Sequence, residues 1–296
     1  MNKNWKDEIV TDSWNKFWQF GLTLGVLCLA ALNVQAQAQT TEAKPMADKK
    51  PMTKSAEMAD AAATSQEYYE LRIYKINDFD KQKKVEAYLS EALLPALNRM
   101  KVDRVGVFTN KGDVNDHSVF MLIPFKDINT FVTMNATLAA DAKYQTDAKS
   151  YFDQPLKDPL YTRIESRFMK AFESMPVIEM PAESAEKKPR MFELRLYQSH
   201  TEDHARRKVQ MFNKGETQLM RDSKMAPVFF GETLIGQDAP NLVYMLSASD
   251  DEAHKAHWKT FIGSDGWAGM KDLPEYKDTV SKIEKWFLSP TDYSQL

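Results

Sequence analysis

Apolar and polar residues alternate along two short stretches of nearly the same pattern, Tyr69-Glu70-Leu71-Arg72-Ile73-Tyr74 and Phe192-Glu193-Leu194-Arg195-Leu196-Tyr197. Side chains on a strand point alternately to its two faces, so Leu71 and Ile73, or Leu194 and Leu196, share one face. Glu70, Arg72 and Tyr74, or Glu193, Arg195 and Tyr197, take the other. After the first stretch, Val85, Tyr88, Leu89, Ala92, Ala96 and Met100 recur at helical spacing, with Pro95 placed to kink that helix or end its first segment. Residues 105–108 and 118–125 read as a second and a third strand, with a turn at Asn110-Lys111-Gly112-Asp113 between them. Asp127 is placed to cap a helix carrying Ile128, Phe131 and Leu138, and residues 161–172 alternate as a last strand.

The same succession returns further along. Glu193 to Tyr197 lies 123 positions after Glu70 to Tyr74, residues 228–231 and 241–246 repeat strands two and three, and Ile283, Glu284 and Phe287 repeat Ile164, Glu165 and Phe168. Near-constant spacing over several elements marks a duplication. Strand, helix, strand, strand, helix, strand is the split βαβ order, so the expected fold is α+β: two tandem ferredoxin-like domains. Their expected bounds are 67–174 and 190–296, joined by a proline-punctuated linker at 175–189. Helices would cover the Leu71 and Leu194 face of each sheet. The polar faces of Glu70, Arg72, Tyr74 and their counterparts would then close on each other inside an intrachain barrel.

Ahead of the repeats, residues 17–32 are almost wholly apolar, and Val34-Gln35-Ala36 has the small-x-small form of a signal-peptidase site. The run is short for a membrane span, which takes about 20 apolar residues. The expectation is a signal peptide over 1–36, an exported (periplasmic or secreted) protein, and no membrane association after cleavage. Residues 37–66, rich in Ala, Lys, Thr, Gln and Met and without an aromatic side chain, read as a disordered tether. The single cysteine, Cys28, falls in the leader, so a processed chain has no thiol for a disulfide, a metal or a nucleophile. A net charge of −3 argues against nucleic acid as a partner.

The Glu-Leu-Arg-x-Tyr opening of both repeats, a glycine-bearing second strand, and the ending Ile283-Glu284-Lys285-Trp286-Phe287-Leu288-Ser289-Pro290-Thr291-Asp292-Tyr293-Ser294 together resemble the NIPSNAP family, in particular its exported bacterial members. The resemblance spans residues 67–296, is better in the second repeat, and weakens around 141–159. It implies a dimeric α/β-barrel, here formed within one chain, and no defined activity. Neighbouring families of that barrel include cofactor-free monooxygenases and haem-degrading enzymes, whose chemistry does not travel with the fold.

Arg72, Tyr74, Arg195 and Tyr197, with Glu70 and Glu193, could line a cleft for an anionic or aromatic ligand, since arginine offers fixed charged donors and tyrosine a ring with a hydroxyl. Equally, they could be cross-strand pairs that only fix the packing. His254, His257, Trp258 and Phe261 share one helix face, and His257 and Tyr197 are the candidates for catalysis. Trp258, and Trp267 in the loop Gly263-Ser264-Asp265-Gly266-Trp267, could contribute to a ligand site or simply complete the local core. His200 and His204 lack the Glu that a zincin motif places after its first histidine. No metal and no cofactor are expected. The leading expectation is a protein that binds a small ligand in the barrel interior or self-associates as a homo-oligomer. The alternatives are a cofactor-independent monooxygenase acting on a small aromatic substrate and a structural interaction module.

Overall fold

The computed structural model describes residues 65–296; the expected signal peptide and all but the last two residues of the expected tether lie outside the described residues. The first half contains β1 (Tyr68–Lys75), α1 (Phe79–Tyr88), α2 (Leu94–Arg99), β2 (Gly106–Asn110), β3 (Val119–Phe125), α3 (Ile128–Ala140), the short α4 (Ala142–Asp147) and α5 (Lys149–Phe152), and β4 (Arg163–Ala171). After α6 (Ala182–Ala185), the second half contains β5 (Met191–Gln198), α7 (Glu202–Met211), α8 (Thr217–Asp222), β6 (Pro227–Ile235), β7 (Asn241–Ala248), α9 (Asp251–Ile262), α10 (Asp265–Lys271) and β8 (Lys282–Pro290).

All neighbouring strands are antiparallel, and they close into one eight-stranded barrel in the order β1-β3-β2-β8-β5-β7-β6-β4. The halves meet at two seams. At one, Phe108, Thr109 and Asn110 of β2 lie opposite Pro290, Ser289 and Leu288 of β8. At the other, Met169, Lys170 and Ala171 of β4 lie opposite Thr233, Glu232 and Gly231 of β6. The segment expected as a plain linker is held in place as well. Met175 and Ile178 are buried, and the Glu179 amide donates to the Val228 carbonyl.

The two faces of the sheet are the reverse of the expectation. Tyr69, Leu71 and Ile73 of β1 and Phe192, Leu194 and Leu196 of β5 point into the barrel, where they pack with Phe108, Phe120, Phe229 and Met245 in one shared core. Glu70, Arg72, Tyr74, Glu193, Arg195 and Tyr197 therefore lie on the outside of the barrel, beneath the helices. Separate helix-side cores gather around Val85, Leu89 and Met134 in the first half and around Phe212, Phe230 and Phe261 in the second. The physical reason is space and partners. The inside of an eight-stranded barrel is just wide enough for side chains to fill, leaving no water to solvate a charge. Under the helices, long polar side chains approach from a second element and can pair the strand charges, which otherwise cost several kcal/mol each when buried.

The longer helices start on side-chain caps. Asp78, Asp127, Thr201 and Asp250 accept from the backbone amides of Lys81, Thr130, His204 and Ala253. Between α1 and α2, and again between α7 and α8, the helix passes through a wide turn, π-helical at Leu89–Leu93 and kinked at the non-helical Gly215 within Phe212–Glu216. Pro95 sits in the first turn of α2, directly after the first of these wide turns. A π-turn adds a residue and rotates the succeeding side chains about the helix axis, a device frequent at functional sites. In the second half the kink at Gly215 directly precedes Glu216, which lies in the layer between helix and sheet.

Candidate functional site

The polar row of β5 is the centre of a buried network between the sheet and α7, α9 and α10. Glu193 and Arg195 are 2% and 4% exposed. Arg195 Nη1 donates to Glu193 Oε1 at 2.7 Å. Trp258 Nε1 donates to Glu193 Oε2 at 2.8 Å, and His254 Nε2 lies 2.9 Å from the same oxygen. An ionised carboxylate only accepts, so that imidazole nitrogen carries a proton. The Arg195 guanidinium also stacks 4.6 Å over the Trp258 ring and 5.4 Å from that of Tyr197. Deeper in the layer, Lys208 Nζ donates to Glu216 Oε2 at 2.7 Å, and the hydroxyls of Tyr197 and Tyr244 are 2.8 Å apart. Trp267 lies over this inner pair, its ring 5.7 Å from Lys208 Nζ.

The electrostatics are uneven. Burial works against ionising Glu193, but the Arg195 charge and the hydrogen bonds from His254 and Trp258 outweigh it and hold the carboxyl down at about 2. Burial pushes Glu216 up, and Lys208 offsets only part of that. Burial opposes the charge on Arg195, yet Tyr197, Tyr244 and Glu193 around it keep the guanidinium firmly protonated. One buried donor of Arg195, Nε, has no hydrogen-bond partner.

Glu193, with its ordinary pKa of 4.5 depressed to about 2, contributes stability that is complete above pH 4.5. That stability is lost as the pH falls from there toward 2, and it is worth on the order of 3 kcal/mol. Glu216 acts with the opposite sign, because a raised carboxyl favours the folded state as pH falls. Urea midpoints should therefore drop through the Glu193 window in the parent and drop less in Glu193→Gln. Equal slopes in the two proteins would show that Glu193 is not the group responsible.

The matching face of the first half has been filled. Arg72 Nε and Ser166 Oγ both donate to Glu70 Oε1 at 2.7 Å, while Glu70 Oε2 is buried without a partner. Counting 123 positions back, Phe131 and Asn135 stand where His254 and Trp258 supply donors, which accounts for that orphan oxygen. Val85 and Leu93 stand for Lys208 and Glu216. The strand registers pair Arg72 with Met121 and Ser166, where Arg195 faces Tyr244 and Lys285. Aromatic rings close the space: Tyr88 stacks on Tyr151 at 3.7 Å, and its hydroxyl is 2.7 Å from that of Tyr144. Tyr74 is buried in this packing, which pushes its hydroxyl up to about 12 even with Arg72 beside it.

Of the residues expected at a site, Glu193, Arg195, Tyr197, Trp258 and Trp267 come together, though outside the barrel rather than within it. Glu70, Arg72 and Tyr74 form a separate cluster in the other half. His254, not the catalytic candidate His257, reaches Glu193; His257 is depressed by burial and by His254 and Lys224. Lys208, Glu216, Tyr244 and Lys285 were missed. A residue-by-residue comparison of the repeats flags all four, because each replaces an apolar or neutral side chain of the first. Among the described residues no group of three or more His, Cys, Asp or Glu side chains could hold a metal ion.

Known proteins fall into two sets of matches. The NIPSNAP family model matches residues 192–295. Among solved structures, a candidate monooxygenase from Lactobacillus acidophilus NCFM superposes with a TM-score of 0.50 at 8% identity, covering 76% of this chain and 94% of that one. At such identity the likeness is one of fold. A NIPSNAP-like domain protein from Burkholderia xenovorans matches at 17% identity and a TM-score of 0.33, over 36% of this chain and 88% of its own. A NIPSNAP family protein from Agrobacterium tumefaciens C58 matches at 14% and 0.33, over 36% and 91%. No curated protein matches the sequence. The stretch that the NIPSNAP family model matches is the one that carries the buried network around Glu193 and Arg195.

Proposed function

We propose that the chain is a small-molecule-binding protein of NIPSNAP type, built as two ferredoxin-like repeats closed into one barrel. Its ligand site is the helix–sheet layer of the second repeat, and the first repeat is scaffold. The observation that carries this reading is the contrast between the repeats. The second keeps Arg195 with an unpaired buried donor inside a charged and aromatic layer, while Val85, Leu93 and a tyrosine stack occupy the first. Burying charge is costly, and sites that bind ligands are where such groups collect. A site in the barrel interior has no such support, because Phe108, Phe192 and Phe229 fill that space. A monooxygenase acting on a small aromatic substrate would need an enclosed cavity for it, and the same side chains fill the barrel interior.

Export to the periplasm or the medium follows from the leader alone and is part of the proposal. Native mass spectrometry of protein purified from its own host tests both parts. The polypeptide mass should correspond to a chain beginning at Gln37, and a retained small molecule should be lost in Arg195→Met and kept in Arg72→Met. Equal retention in the two variants rejects the site, and a chain that still carries its leader rejects cleavage of a signal peptide.

A further inference from the structure

At the outer edge of the network, β8 sets Lys285 directly opposite Arg195. Like charges facing each other across antiparallel strands are destabilising. Lys285 is exposed and makes no ion pair among the described residues; the Phe287 ring lies 5.9 Å from its Nζ. Burial and then the Arg195 charge depress this lysine, so its ammonium is held at some cost. The first repeat has Ser166 here, a neutral donor to Glu70 Oε1. The second repeat thus carries a cation where a neutral hydrogen bond would serve, beside an arginine with a donor to spare. Three cations, Arg195, Lys208 and Lys285, meet only two carboxylates, Glu193 and Glu216. Around the Arg195–Lys285 pair the surfaces are aromatic: the Trp258 ring lies against Arg195, and the Phe287 ring meets His254 edge-on at 5.4 Å.

We propose that this rim binds a small aromatic carboxylate, its anionic group bridging Arg195 and Lys285 and its ring lying against Trp258 and Phe287. The assignment rests on the ligand-binding reading above and names the ligand class. A bridging carboxylate turns the like-charge pair into two charge-assisted hydrogen bonds, the strong kind, with arginine supplying a planar fork. The flat rings supply apolar area that an inorganic anion could not use.

Calorimetric titration with benzoate, benzyl alcohol and inorganic phosphate tests it on the full processed chain. Benzoate should bind, and benzyl alcohol, of the same size without the charge, should not. Phosphate, with the charge but no ring, should bind more weakly than benzoate. Lys285→Ser installs the first repeat's residue at an exposed position, and its fold can be checked by circular dichroism. It should weaken benzoate by about tenfold, corresponding to about 1.4 kcal/mol, and Lys285→Arg should restore it. Benzyl alcohol or phosphate binding as well as benzoate, or unchanged benzoate affinity in Lys285→Ser, overturns the assignment. A neutral or cationic molecule retained by the native protein and lost in Arg195→Met would overturn it too, while leaving the broader binding reading standing.

Discussion

Replacing Glu193 with alanine should destabilise the protein by about 3–5 kcal/mol, the usual loss when one partner of a buried ion pair is removed and the other stays. Here three donors lose their acceptor at once: Arg195 Nη1, His254 Nε2 and Trp258 Nε1. Histidine and tryptophan lie near the surface and can turn to water, whereas Arg195, 4% exposed, would be left with little solvent. Glu70→Ala should cost less. One oxygen of Glu70 is already buried without a partner, and Arg72, at 15% side-chain exposure, has more access to solvent. The double variant Glu193→Met, Arg195→Met should recover most of the loss, since a well-packed apolar pair often matches a buried ion pair. Urea denaturation of the parent and these variants gives all the numbers. A double variant as unstable as Glu193→Ala would place the cost in packing rather than in the stranded charge.

The second large effect is expected from Phe192→Ala, at about 3–5 kcal/mol for removing a fully buried ring. Phe192 belongs to β5, yet it packs edge-on against Phe108 of β2 at a centroid distance of 4.8 Å, across the intervening β8. Its loss should be felt by both halves. Tryptophan fluorescence reports the second half, whose Trp258, Trp267 and Trp286 are all the tryptophans among the described residues. Backbone amide exchange on β1 and β3 reports the first. Both signals should move together in a single transition at a lower denaturant concentration. Two separated transitions, with the β1 and β3 amides unaffected, would mean that the halves have independent cores.

Most of the topology could be read from the sequence, because the register of polar and apolar positions recurs at almost constant spacing and each strand is bounded by turn residues. What alternation does not contain is a sign. In a sheet with one wet face, Leu71 must point to the core and Arg72 to water. In this barrel both faces are covered, so Leu71 packs in the shared interior while Arg72 is half-buried under the helices. The pattern alone could not say which core took which. The site suffered from the same blindness. Glu193, Arg195 and Tyr197 stood out as repeated letters, while Lys208 and Glu216 sat inside a helical stretch and looked like solvated charges. The helix breaks at Gly215, its one mark in the sequence, and directly after the break Glu216 turns inward to meet Lys208. His254 was visible beside His257; its spacing of four from Trp258 puts both donors over one carboxylate, a pairing that depends on where the helix crosses the sheet.

The two seams have one further consequence, concerning dilution. A barrel made by two separate chains comes apart when its concentration falls below its dissociation constant. Here residues 172–190 tie β4 to β5, so each sheet meets its partner at an effective concentration of order millimolar however dilute the protein becomes. That tether also releases the halves from having to be copies. When one gene product supplies both sheets of a symmetric pair, any substitution appears on both sides and must suit both. With two stretches of one chain, Val85 can remain a packing residue while Lys208, at the matching turn, is free to become a buried ammonium.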